Sequence, residues 1–147
     1  MNILFICTGN TCRSPMAAAI LNKIAVENDL DVRIESAGLM ANDGDPASEY
    51  AVEAMREMGI DMSEHRSKTV TEEMVEQADL ILTMTEGQRV MINGVAPEKT
   101  YTLMEYAGDS GDISDPFGGD LDEYMETAQQ IYDAMTDVAE KLPLIEE

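Results

Sequence analysis

Residues 7–15 read CTGNTCRSP, directly after the apolar run MNILFI, and the fold turns on how that junction is read. Asn2 to Cys7 is a short continuous apolar run of the kind a strand covered on both faces shows. Pro15, in the first turn, opens a helix through about Val26. The stretch is therefore strand, tight loop, helix. In open α/β sheets ligands bind beyond the carboxyl ends of strands, and a loop running into a helix N-terminus turns its N–H groups toward an anion. Thr8, Gly9, Asn10, Thr11, Cys12, Arg13 and Ser14 are the expected phosphate-binding residues, with Gly9 and Asn10 tolerating the left-handed backbone such a cradle demands. No lysine follows, which excludes the Gly-Lys-Ser nucleotide loop. The field that holds a phosphate also favours a thiolate, making Cys7 the expected nucleophile. Arg13, planar and permanently charged, suits two phosphoryl oxygens, and Ser14 is spaced to hydrogen-bond the Cys7 sulfur and ease its departure.

Outward from the loop, Val32 to Ala37 reads as a second strand ending at Gly38, and Pro46 to Met58 as a helix stopped by Gly59. Thr71 starts a short helix, and Leu80 to Met84 is a third apolar strand. A short helix near Gln88 to Ile92 precedes a fourth strand, Thr100 to Met104. Gly108 to Asp120, GDSGDISDPFGGD, is a loop by composition. Leu121, Tyr124, Met125, Ala128, Ile131, Met135, Val138 and Leu142 recur at three- and four-residue spacing, one apolar face of a long closing helix. Met55, Met58, Met125 and Met135 are expected to fill the core. Strands alternating with helices imply a parallel sheet with helices on both sides.

A chain of 147 residues fits one domain, residues 1–147, with a substantial core. The stretch before Cys7 has no charged leader and no small-residue cleavage site, so neither signal peptide nor membrane span is expected. Two cysteines within six residues cannot staple a secreted scaffold, and a reducing cytoplasm is the expected compartment. His65 is the only histidine, which leaves no ligand set for a Cys/His zinc site; no metal and no cofactor are expected. A formal charge of −21, from 30 Asp plus Glu against 9 Lys plus Arg, repels nucleic acid and anionic membranes. It also suits a solvated, salt-adapted surface.

CTGNTCRSPMA resembles the active-site loop of the low-molecular-weight protein tyrosine phosphatases, with Cys-x5-Arg-Ser-Pro at the start of the chain. The Asp-Pro pair that this family carries before its last helix is matched by Asp115-Pro116, so the likeness spans nearly the whole length. It implies an α/β three-layer sandwich with a four-stranded parallel sheet in the order 2-1-3-4 and helices on both faces. It further implies phosphorylated protein substrates and a phosphocysteine intermediate; the oligomeric state is left open, with a monomer expected. Asp115 becomes the general acid that protonates the leaving group and then activates water. Ser36 in ESAG and His65 in SEHRS match positions that, with Asn10 and Ser14, brace the loop.

Within the family, tyrosine-specific members usually carry a bulky aliphatic residue where Thr11 stands, and two aromatics after Asp-Pro. This chain has Phe117-Gly118, and losing one face of the ring clamp weakens phosphotyrosine binding about three- to tenfold. Thr11 with DPFGG resembles the bacterial protein-arginine phosphatase branch, in which Thr11 and Phe117 would set specificity. Asp115 could accept hydrogen bonds from a guanidinium. A tyrosine phosphatase of the same family is the alternative reading. Arsenate reductases share the scaffold, but those with a disulfide relay need later cysteines, and none follows Cys12. Cys12 itself is either a small buried hydrophobe or a thiol that traps an oxidised Cys7 as a disulfide.

Overall fold

The structure is a computed structural model and describes residues 1–146. β1 (Asn2–Cys7) is buried from Ile3 onward because its alternate side chains enter two separate cores. Ile3, Phe5 and Cys7 face one core, which α1 (Arg13–Asn28) and α6 (Leu121–Ala139) cover together with α2 (Glu49–Glu57). Leu4 and Ile6 face the other, with Val75 of α3 (Glu72–Gln77) and Ile92 of α4 (Glu86–Asn93). Each large side chain so buried contributes about 1.5–3 kcal/mol. β1 therefore has to lie inside the sheet.

The sheet is parallel, in the order β2-β1-β3-β4, with β2 at Arg33–Gly38, β3 at Leu80–Thr83 and β4 at Thr100–Thr102. Cys7 pairs with Gly38 and Ile6 with Thr83, so the carboxyl ends of three strands meet at one edge. Gly38 is required there. A Cβ on it would lie 2.7 Å from the Thr8 carbonyl oxygen and 3.1 Å from the Asn10 nitrogen.

Several boundaries differ from the sequence reading, each for a local reason. α1 continues past Val26 to Asn28 and stops at Asp29, whose φ of 53° lets its N–H reach the Ala25 carbonyl. α2 starts at Glu49 rather than Pro46, because Ser48 caps it by accepting the Ala51 N–H. β4 ends at Thr102, whose hydroxyl accepts the Glu105 N–H and turns the chain into an unforeseen helix, α5 (Leu103–Tyr106). The closing helix stops at Ala139 ahead of Pro143, so Leu142 is buried from beyond it. Met55 and Met135 are fully buried, Met58 is half-buried, and Met125 is exposed and fills no core. Among the described residues no helix is long and apolar enough to cross a membrane.

Candidate active site

The loop after β1 is built around one buried side chain. Asn10 is fully buried with φ 58°, the left-handed region that asparagine tolerates better than other non-glycine residues. Gly9, expected to share that conformation, does not have a positive φ. Asn10 Oδ1 accepts the Lys68 N–H at 3.0 Å, which fixes the amide so that Nδ2 donates to Ser14 Oγ at 2.8 Å and Ser36 Oγ at 3.0 Å. The Asn10 carbonyl accepts from His65 Nε2 at 2.7 Å. Burial holds the His65 pKa below the usual histidine value, outweighing that hydrogen bond, so the neutral Nε2–H tautomer is the donor. Asn10, Ser14, Ser36 and His65 thus form one connected network.

Cys7 lies under this network and is buried. Its sulfur is 2.8 Å from Ser14 Oγ and accepts the Asn10 N–H at 3.3 Å. Because Ser14 Oγ accepts from Asn10, its own proton is left for the sulfur. Two donors then converge on the Cys7 sulfur.

The N-terminus of α1 is left open. Ser48, Thr71, Thr85, Thr102 and Asp120 cap their helices through side-chain oxygens, whereas Cys12 caps α1 with no side-chain hydrogen bond. Pro15, third in that helix, has no N–H to offer. The N–H groups of Arg13 and Ser14 therefore remain beside Cys7 for an anion. Cys12 Sγ instead lies 3.4 Å from the Tyr124 hydroxyl. Burial, and then that contact, push the Tyr124 pKa up to about 12.

Arg13 is 7% exposed. Its guanidinium donates to the Ile113 carbonyl at 3.0 Å and lies 3.6 Å from Asp115 Oδ2. The loop carrying Asp115 is anchored on both sides of the sheet edge. Ile113 N–H donates to the Met84 carbonyl at 2.9 Å, Asp112 accepts the Glu86 N–H at the start of α4, and Ser114 contacts Thr127 and Gln130 of α6. Asp115 Oδ1 accepts the Phe117 N–H at 3.1 Å. A pocket of about 250 Å³ is lined by Cys7 to Arg13 together with Asp115 and Phe117. Phe117 forms its exposed lip. Ser14, Ser36 and His65 stand behind the loop and do not line that pocket.

Gln88 was not foreseen as a site residue. It is buried on α4 and its Nε2 donates to Thr8 Oγ1 at 3.2 Å. The spacing Thr85-x-x-Gln88 is a legible capping box, but the contact with Thr8 is not. Among the described residues no group of three or more His, Cys, Asp or Glu side chains is arranged to hold a metal ion.

A cysteine-bearing loop between β1 and α1, faced by a buried arginine and an exposed carboxylate, has the chemistry to hold and hydrolyse a phosphoryl group. A profile of the family described as low molecular weight phosphotyrosine protein phosphatase matches residues 2–144, and the chain belongs to that family. It is 42% identical over 146 residues to the protein-arginine-phosphatase of Bacillus subtilis (strain 168), covering 97% of each chain. It is 40% identical over 136 residues to the low molecular weight protein-tyrosine-phosphatase PtpB of Staphylococcus haemolyticus (strain JCSC1435), covering 89% of this chain and 92% of the relative. Among solved structures it matches the YwlE arginine phosphatase C7S mutant with phosphorylated active site serine at a TM-score of 0.93, with 41% identity over 96% of this chain and 95% of that one. It matches the low molecular weight protein tyrosine phosphatase from T. tengcongensis at 0.92, with 42% identity over 97% and 99%. The protein is a phosphoprotein phosphatase, a hydrolase.

Proposed function

We propose that this phosphatase acts on phosphoarginine residues of proteins through a phosphocysteine formed on Cys7. The observation that carries the substrate is the pocket wall, where Thr11 and the single ring of Phe117 stand with Asp115. A phenyl ring is held best between two apolar faces, and only one is offered here. A guanidinium is planar and rich in donors, and Asp115 is an acceptor at the same mouth. Overall likeness does not decide between substrates, since solved structures named for arginine and for tyrosine match at TM-scores of 0.93 and 0.92. The pocket wall therefore carries the choice.

In this reading the Cys7 sulfur attacks phosphorus and the P–N bond breaks. Its electron pair goes to the guanidine nitrogen, which takes a proton from Asp115. Arg13 and the open N–H groups of the loop hold the phosphoryl oxygens through the transfer. Asp115 then takes a proton from water, which attacks the phosphorus of the phosphocysteine and releases inorganic phosphate. Ser14 stabilises the departing Cys7 sulfur from 2.8 Å. The phosphorylated active-site serine of the YwlE mutant supports a covalent step at this position.

The test is turnover of matched peptides carrying phosphoarginine or phosphotyrosine. The expected kcat/KM ratio favours phosphoarginine by at least roughly tenfold, the scale of one misplaced polar contact and one lost ring face. A preference for phosphotyrosine would make the protein a tyrosine phosphatase with an altered loop.

A further inference from the structure

Gln88 makes one hydrogen bond more than its place in α4 requires. Thr85 Oγ1 accepts the Gln88 N–H at 3.1 Å, while Gln88 Oε1 accepts the N–H groups of Met84 and Thr85 at 3.0 and 3.1 Å. That reciprocal cap uses the side chain only as an acceptor, a task glutamate performs equally. In a chain with 30 Asp plus Glu, an amide at this position calls for another reason. What the amide adds is Nε2, which donates to Thr8 Oγ1 at 3.2 Å. With Oε1 occupied by two N–H groups, the donor assignment does not depend on a choice of amide orientation. Gln88 is 5% exposed, so solvent is no substitute partner.

Thr8 follows Cys7 directly and lines the same pocket. A hydroxyl that accepts from an amide keeps its proton for another acceptor. A bound substrate brings such acceptors at one place, its phosphoryl oxygens, whereas a guanidinium brings only donors. We propose that Gln88 is a positioning residue of the phosphatase site, which sets the Thr8 hydroxyl as a donor to the phosphoryl group. This rests on the reading of residues 7–14 as the phosphoryl site. It also gives the adjacent crossover a grip on the loop, because β1 and β3 are neighbours with Ile6 opposite Thr83.

Gln88→Glu separates the two tasks, since it keeps the acceptor for both N–H groups and removes the donor to Thr8. The Thr8 proton then turns back toward the new carboxylate. Inhibition by inorganic phosphate, KM and melting midpoint are measured for Gln88→Glu, Thr8→Val and the double variant. Each single change is expected to raise the phosphate Ki about tenfold, as for loss of a hydrogen bond to a charged group, and the double variant to be no worse than the poorer single. The melting midpoint of Gln88→Glu is expected to stay near that of the parent while Ki moves, which a purely structural role would reverse. Additive effects would overturn the proposal, because the new charge would then act without Thr8. An unchanged Ki in Thr8→Val overturns it even if Gln88→Glu does not fold. Cys7→Ser is assayed alongside; retained turnover there would defeat the reading of the loop itself, independently of how Gln88 behaves.

Discussion

Replacing Asn10 tests the construction of the active-site loop more directly than replacing any residue that meets substrate. Asn10→Ala removes two donated bonds, to Ser14 and Ser36, and one accepted bond, from the Lys68 N–H. At about 1 kcal/mol net each, these total about 3 kcal/mol, with further loss if the buried Ser14 and Ser36 hydroxyls find no replacement partner. Alanine at φ 58° adds about 1 kcal/mol of backbone strain that asparagine largely avoids. Asn10→Gly loses the same three bonds without that strain. The expected costs are therefore about 4 kcal/mol for alanine and about 3 kcal/mol for glycine, measured by urea unfolding. Both should lower kcat by roughly a hundredfold, because Ser14 loses the bond that directs its proton to Cys7 and the loop donors shift. If both variants keep turnover and lie within about 0.5 kcal/mol of the parent, the network does not hold the loop and the reasoning fails.

Thr11→Ile replaces a hydroxyl with an apolar wall, so the ratio of specificity constants should swing toward phosphotyrosine by at least roughly tenfold; an unmoved ratio would shift the selectivity to Asp115 and Phe117. Asp115→Asn should slow substrates with poor leaving groups far more than those with good ones, since only the former need a proton, and equal slowing would leave Asp115 as a loop-shaping residue. His65 has a lowered pKa when folded, so on acidification the unfolded chain takes up its proton first. The stability from its neutral form is present above the ordinary value of 6.5 and lost as pH falls through the folded value. Unfolding free energies of wild type and His65→Gln should therefore converge as the pH drops below that window, and parallel curves would remove His65 from the account.

The β1–loop–α1 unit, the alternation that makes the sheet parallel, and the capped starts at Thr71 and Gly59's stop are all legible in the sequence, because each depends on residues within a few positions of one another. The order 2-1-3-4 followed from family likeness and is the order observed. Features of one turn or less escaped: α5 spans four residues, and nothing in its composition outweighs the apolar run it interrupts. Met125 has helical spacing that suits the apolar face, yet it lies outside the buried face that α6 packs against α1 and α2. Family likeness already grouped Asn10 with Ser36 and His65, and Asp115 with the loop. The tertiary structure supplies the atoms that meet, Asn10 with Ser36, His65 and Lys68, and Arg13 with Asp115, and adds the pairs Arg13 with Ile113, Cys12 with Tyr124, and Thr8 with Gln88. These partners lie 26 to 112 residues apart, far beyond any helical or strand period. A hydrogen bond has direction as well as distance, so which atoms meet is decided by strand register and by how α4 and α6 dock. Sequence periodicity carries burial; it does not carry orientation.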